Sequence, residues 1–250
     1  MDLDLADKVV IVTGASRGLG EAIVKDLVDE GASVIAAARS ESALKEISNY
    51  SPGKIAVCVA DMENRNEVQG LVNFAVETFG SLSAVVNNAG IAPAGKFVDT
   101  DIEIMEKTFA VNVFAPAILA REAARYFIES GVEGSIVNIA STSGLKGKAL
   151  LVGYSASKGA MMRLTEALAA EWARYGIRVN TVAPGAFVTD AQSAVLEDEK
   201  ILDARLRKIP LRRMGEPSEI GALVSYLVSS KSGFVTGSCF VADGGEVNSL

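Results

Sequence analysis

The stretch Lys8–Val24, KVVIVTGASRGLGEAIV, decides how the rest of the chain is read. An apolar run ends at Thr13 and passes into a turn carrying Gly14, Gly18 and Gly20. Ile23, Leu27 and Val28 then recur on one stripe, as on an amphipathic helix. Strand, glycine turn and helix in this order suit a phosphate-bearing ligand. Glycine allows the tight turn, lets backbone N–H groups approach a pyrophosphate and lets the helix pack close on the sheet. The helix N-terminus then faces the anion. No Gly-Lys-Ser/Thr follows, so a Walker A loop is excluded and a dinucleotide is the ligand class to expect.

The same alternation continues along the chain. SVIAAA (33–38), IAVCVAD (55–61), AVVNNAG (84–90), GSIVNIAS (134–141), IRVNTVAPG (177–185) and CFVADGG (239–245) complete a set of seven strands. They are apolar almost throughout, as strands covered on both faces must be. Helical stretches lie between them; NEVQGLVNFAVETFG (66–80) places Val68, Leu71, Val72 and Ala75 on one stripe and ends in glycine. The expected fold class is α/β: one doubly wound domain over 1–250, a seven-stranded parallel sheet with helices on both faces. The segment 187–216 is polar and irregular, and is expected to form a substrate loop or lid.

Composition removes several alternatives. With no histidine in 250 residues, a Ser-His-Asp triad is impossible, and two distant cysteines make a transition-metal centre improbable: no metal site is expected. Cys58 and Cys239 each sit in an apolar run and read as buried thiols. A net charge of -7 argues against nucleic acid. The basic run RLRKIPLRR (205–213) reads as a solvated or anion-steering edge. No apolar run reaches the roughly 18 to 20 residues of a membrane span, and the opening MDLDLADK is acidic where a secretory leader is basic. A cytoplasmic protein is expected.

GYSASKGAMM (153–162) carries the chemistry. Residues four apart share a helix face, so Tyr154 and Lys158 point into one cleft. In a chain without imidazole the phenol is the candidate acid or base, and an adjacent ammonium favours phenolate and lowers its pKa.

These pieces together resemble the short-chain dehydrogenases/reductases. TGASRGLG at the turn, NNAG at 87–90, Asn112, Ser141, YSASK at 154–158 and PG at 184–185 with Thr189 run the length of the chain in that family's order and spacing. The resemblance implies a Rossmann-like fold and hydride transfer between a nicotinamide and a secondary alcohol or ketone carbon. It implies that Tyr154 delivers the proton, Lys158 tunes it and holds the nicotinamide ribose, Ser141 polarises the carbonyl and Asn112 keeps a water relay behind Lys158. Ser143 is a local rival to Ser141, and Asn112 by itself reads as a surface residue. Cofactor contacts are expected from Gly14, Ser16, Arg17, Gly18, Leu19 and Gly20, from Arg39, Asp61, Met62, Asn88, Ala89 and Gly90, and from Tyr154, Lys158, Pro184, Gly185, Phe187 and Thr189. Phe187 departs from an aliphatic residue usual there, but its backbone N–H is the group that would bind.

Where NAD-using members carry Asp, this chain has Ala38, followed by Arg39, with Arg17 in the glycine turn. Guanidinium suits the extra phosphate of NADP, so NADP(H) is favoured over NAD(H). An NAD-dependent alcohol or polyol dehydrogenase is the alternative, and a non-catalytic dinucleotide-binding protein a more distant one. The family's sugar, polyol and acyl-carrier-protein reductases share these motifs. Apolar residues in 92–94 and 145–152 suggest a small-molecule substrate with an uncharged body. The resemblance also implies a homotetramer or homodimer, built on the helix bearing Tyr154 and on the last strand.

Overall fold

A computed structural model describes residues 2–249. All seven expected strands lie in one parallel sheet of order β3-β2-β1-β4-β5-β6-β7. They are β1 (Val9–Thr13), β2 (Ser33–Ala38), β3 (Ile55–Val59), β4 (Ala84–Asn87), β5 (Gly134–Ile139), β6 (Ile177–Pro184) and β7 (Cys239–Ala242). The helices are α1 (Gly18–Asp29), α2 (Glu41–Ser48), α3 (Arg65–Phe79), α4 (Ile102–Phe109), α5 (Ala115–Ser130), α6 (Val152–Trp172), α7 (Ser193–Leu196), α8 (Glu199–Leu206) and α9 (Pro217–Val228). The fold is the doubly wound, Rossmann-like α/β arrangement.

Alternation along β1 shows why both faces are covered. Val10 and Val12 point into one core with Ile23 and Leu27 of α1 and Val224 of α9. Val9 and Ile11 point into the other with Leu71 of α3, and Leu119 and Phe127 of α5. The expected helix stripes are the buried faces: Ile23, Leu27 and Val28 in α1, and Val68, Leu71, Val72 and Ala75 in α3. The α3 helix closes on Gly80 at φ 80°, a left-handed cap that glycine adopts without steric cost.

Strand order reverses between β1 and β4, and a doubly wound sheet opens its ligand crevice beyond the carboxyl ends at that point. The glycine turn follows β1 and NNAG follows β4, so topology alone puts both motifs at the crevice. They approach so closely that a Cβ on Gly14 would stand 2.8 Å from the Ala89 Cα, and one on Gly20 would stand 2.1 Å from the Gly14 carbonyl oxygen. No side chain fits at either place.

Two expectations need correction. The cysteines are not buried: Cys58 is half-buried and Cys239 exposed. Both lie on the outermost strands, β3 and β7, where the sheet's layers end and an apolar sequence is no longer covered. The basic run 205–213 is not simply a solvated edge. Arg205 is mostly buried in an ion pair with Glu246, Arg213 pairs bidentately with Glu219 at 2.7 Å, and Arg212 donates to the Arg207 carbonyl.

Candidate active site

The glycine turn and the loop after β4 are braced by one hydroxyl. Thr13 Oγ1 accepts from the amides of Asn88 and Ala89, each at 3.1 Å, and donates to the Val86 carbonyl. Asn88 returns the contact, its Nδ2 donating to the carbonyls of Thr13 and Gly14 at 3.0 and 3.1 Å. Thr13 was not among the expected site residues. Its position as the last residue of a strand that opens on the turn was the signal available.

The residues present fit a dinucleotide. Helices α2, α3 and α8 are each capped by their own Ser40, Asn64 or Asp198. No side chain caps α1, so its first amides, from Gly18 onward, remain donors for an anion. Ser16, Leu19 and the exposed Arg17 flank them. Arg39 is exposed at the end of β2, directly after the buried Ala38. Asp61 and the buried Met62 follow β3, Asp61 accepting from the Glu63 amide. Gly90 is exposed beyond β4. On the opposite side Pro184 ends β6, Gly185 follows, and Phe187 forms a bridge with Gly215 in which its own amide takes no part. Thr189 lies 3.5 Å from where a Cβ on Gly18 would stand. The expected cofactor residues therefore ring the carboxyl end of the sheet.

Ser141, Tyr154 and Lys158 are brought together by the turn after β5 and by α6. Ser141 begins the turn after β5, its Oγ accepting from the Ser143 amide at 3.1 Å. Tyr154, in the first turn of α6, has the Ser141 side chain close enough to pull its pKa down. Ser143 is buried in the same turn and meets Ser141 through its amide. The turn packs directly on α6: a Cβ on Gly144 would come 2.6 Å from the Lys158 carbonyl carbon. Lys158 is 3% exposed, and its Nζ donates to the Ile139 carbonyl at 2.7 Å, lies 5.8 Å from the Tyr154 ring centroid and would be 3.4 Å from a Cβ on Gly90.

Asn112 is not a surface residue. It is fully buried in a π-helical turn, 110–114, that joins α4 to α5. Its amide pairs with the Ile91 backbone in both directions at 2.9 Å and donates to Ser157 Oγ at 3.0 Å. The extra residue of a π turn re-aims this side chain across the site, and π turns recur at functional positions. Asn112 thereby ties the loop after β4 to α6.

A second polar set was missed altogether. Asn87, Asn138, Thr165 and Thr181 are all buried, and join β4, β5, α6 and β6 in a chain of 2.8 Å hydrogen bonds. Thr165 stands two turns beyond Lys158, so this chain fixes the lower part of the same helix. Asparagine inside an otherwise apolar strand, as in AVVN and SIVNI, was the available signal.

Burial dominates the electrostatics. It pushes the Tyr154 phenol up, with the Ser141 contact pulling down, so the protein's own groups do not lower it as the sequence suggested. Lys158, desolvated beneath the site, is lowered to about 8. An apolar cavity of about 70 Å³ adjoins the start of α6, lined by Pro93, Phe97, Ile104, Met105, Leu150 and Val152. Among the described residues no cluster of His, Cys, Asp or Glu is arranged to hold a metal, and no helix is long and apolar enough to cross a membrane.

A glycine turn opening on a helix N-terminus, with Ser141, Tyr154 and Lys158 at the same crevice, suits a dinucleotide-dependent oxidoreductase. The family profile described as Enoyl-(Acyl carrier protein) reductase matches residues 14–246. A glucose 1-dehydrogenase of Gluconobacter oxydans (strain 621H) is 36% identical over 96% of this chain and 92% of that protein. An L-rhamnose 1-dehydrogenase (NAD(P)(+)) of Azotobacter vinelandii is 36% identical over 96% of this chain and 97% of its own. The crystal structure of a short-chain type dehydrogenase/reductase from Mycobacterium marinum superposes with a TM-score of 0.90 at 34% identity, covering 98% of this chain and 97% of that one. The chain belongs to the short-chain dehydrogenase/reductase family. It is an oxidoreductase acting on CH–OH groups with a nicotinamide cofactor.

Lys158 lies below its ordinary 10.5, so between pH 10.5 and about 8 the unfolded chain holds more protons than the folded one. Stability therefore falls as pH drops through that window, and the cost is fully present below about pH 8. Lys158→Met is expected to stabilise the protein at pH 7 by up to about 3 kcal/mol, an advantage that fades toward pH 10, while turnover is lost. Urea unfolding at both pH values measures the difference; equal stabilisation at pH 7 and 10 contradicts it.

Proposed function

We propose that the protein is an NADP(H)-dependent oxidoreductase that interconverts a carbonyl and a secondary alcohol, with Tyr154 as the acid or base. The observation that carries this reading is the Tyr154 phenol set beside Ser141 and the buried Lys158 ammonium, whose Nζ lies 5.8 Å from the phenol ring centroid. A bound nicotinamide supplies or accepts the hydride. The substrate oxygen gathers negative charge in reduction, and Ser141 Oγ donates to it. Tyr154 Oη delivers the proton in the same step and takes it back in oxidation. Lys158 keeps a positive charge behind the phenol and so favours phenolate as the proton leaves. Asn112 acts by holding the Ile91 backbone and α6 in place.

Arg39 and Arg17 support NADP(H), since both are exposed at the crevice and no acid occupies position 38. The name of the rhamnose relative covers both cofactors, so NAD use is the outcome that competes. The cavity beside α6 supports a substrate with an apolar flank next to its carbonyl. Assembly into a homodimer or homotetramer through α6 and β7, as the family resemblance implies, is supported by the edge strand β7, where Cys239 and Val241 stand open.

Tyr154→Phe is expected to lower kcat by about 10²- to 10⁴-fold with NADPH binding retained, read from NADPH fluorescence and steady-state rates. Near wild-type turnover removes Tyr154 as the acid. Arg39→Asp is expected to weaken NADPH by about 10- to 100-fold and to spare NADH, because one charge-assisted contact of about 1.5–3 kcal/mol is lost. An unchanged NADPH to NADH preference places selectivity elsewhere. Sedimentation equilibrium is expected to give two or four copies, and a 26.1 kDa species at micromolar concentration defeats the assembly reading.

A further inference from the structure

The lid is a distinct substructure with its own closure. At its neck the Val188 amide donates to the Gly215 carbonyl and the Gly215 amide to the Ala186 carbonyl, both at 2.9 Å. Beyond the neck, Ile209 and Met214 form a small core packed by Leu196, Leu202 and Leu206 from α7 and α8. The glycine turn bounds the lid on one side, through Thr189 against Gly18. On the other side, the partly buried Lys148 of the loop between Ser141 and Tyr154 feels the charges of Arg205 and Lys208 in the lid and of Asp243 and Glu246 after β7. The lid therefore starts at the glycine turn, at the carboxyl end of the sheet.

The segment after β7 meets the far side of this lid. Arg205 of α8 makes a bidentate ion pair with Glu246, with 2.6 Å between Nη2 and Oε2 and only 21% and 15% of the two side chains exposed. The Leu211 amide donates to the Gly244 carbonyl at 3.2 Å. Gly244 and Gly245 both have positive φ, 64° and 89°, and a Cβ on Gly244 would stand 2.7 Å from Ile209 Cγ2. Asp243 holds the segment in shape, accepting from the amides of Gly245 at 2.8 Å and Val247 at 2.6 Å. At the lid's other end, a Cβ on Gly185 would lie 2.6 Å from Asp243 Cβ. Most ion pairs of this chain are between exposed side chains or close neighbours in sequence, whereas this one is largely buried and spans 41 positions.

We propose that residues 243–247 latch the lid over the active site, and that Glu246 is a positioning residue which sets substrate affinity through Arg205 and α8. The proposal rests on the reading of 187–216 as the substrate lid. The latch is built from the segment after β7, with two glycines that let the lid backbone seat and one largely desolvated ion pair that holds α8 to that segment. Neither the pair nor α8 includes the cofactor residues on β1, β4 and α6 or Phe187 and Thr189 at the lid's neck, and these are expected to stay in place when it is broken.

The test is Glu246→Gln, beside a charge-reversed double variant carrying Arg205→Glu and Glu246→Arg. Hydrogen exchange of residues 199–207 is expected to quicken in Glu246→Gln while protection in β1, β4 and β5 stays as in the wild type, and to slow again in the double variant. With the carbonyl substrate that the wild type turns over, KM for that substrate is expected to rise roughly tenfold, with kcat and the KM for NADPH nearly unchanged. Unchanged exchange in 199–207, or exchange that quickens evenly across the whole chain, overturns the latch. Quickened local exchange with an unchanged substrate KM overturns Glu246 as a positioning residue. The exchange readout needs no substrate, so a chain that turns over no carbonyl refutes the proposed activity and leaves the latch decided on its own evidence.

Discussion

Lys158 donates from the buried face of α6 to the Ile139 carbonyl at the end of β5, and the rest of the site is arranged around that 2.7 Å contact. A cation taken out of water costs several kcal/mol unless it finds an acceptor and, here, sheds part of its proton affinity. Room for it exists because Gly90 leaves no Cβ against its Nζ and Gly144 lets the turn bearing Ser141 seat directly on the Lys158 backbone. The same close approach brings Ser141 to Tyr154. A helix displaced by one ångström would lose the ammonium's acceptor and the serine's partner together.

Two polar assemblies keep that helix where it is. Asn112 joins the loop after β4 to Ser157, one residue before Lys158, and the Asn87–Asn138–Thr165–Thr181 chain joins three strands to the helix two turns further on. Each is buried and internally satisfied, the condition under which buried polar groups rigidify a core instead of weakening it. The geometry of the candidate site is thus held by hydrogen bonds below it as much as by apolar packing around it. Nearby, Thr142 Oγ1 has no hydrogen-bond partner among the described residues, directly after Ser141 in the chain.

Local sequence carried the architecture because each element declares itself by period and punctuation. Seven apolar runs are short and bounded by glycine, proline or asparagine, and a chain that alternates them with 3.6-residue stripes has few other ways to bury both faces of a sheet. The motif residues were equally legible, since strand-end positions converge on one edge once the sheet is parallel. Where the reading failed, coverage was the reason. Cys58 and Cys239 sit in runs as apolar as those of the central strands, yet they belong to the sheet's outermost strands, and strand order is not written in any single run.

By itself the sequence determined the fold class, the ligand edge of the sheet, the Tyr154–Lys158 pair on one helix face and the family, because all of these depend on spacing within an element or on the order of elements. Tertiary structure alone decided that Asn112 is buried in a π turn and that the phenol is raised and the ammonium lowered. It also decided that Arg205, one basic residue in a run of them, belongs to Glu246, 41 positions away. Each of those is set by which groups are desolvated beside which, and desolvation is a property of the packed whole.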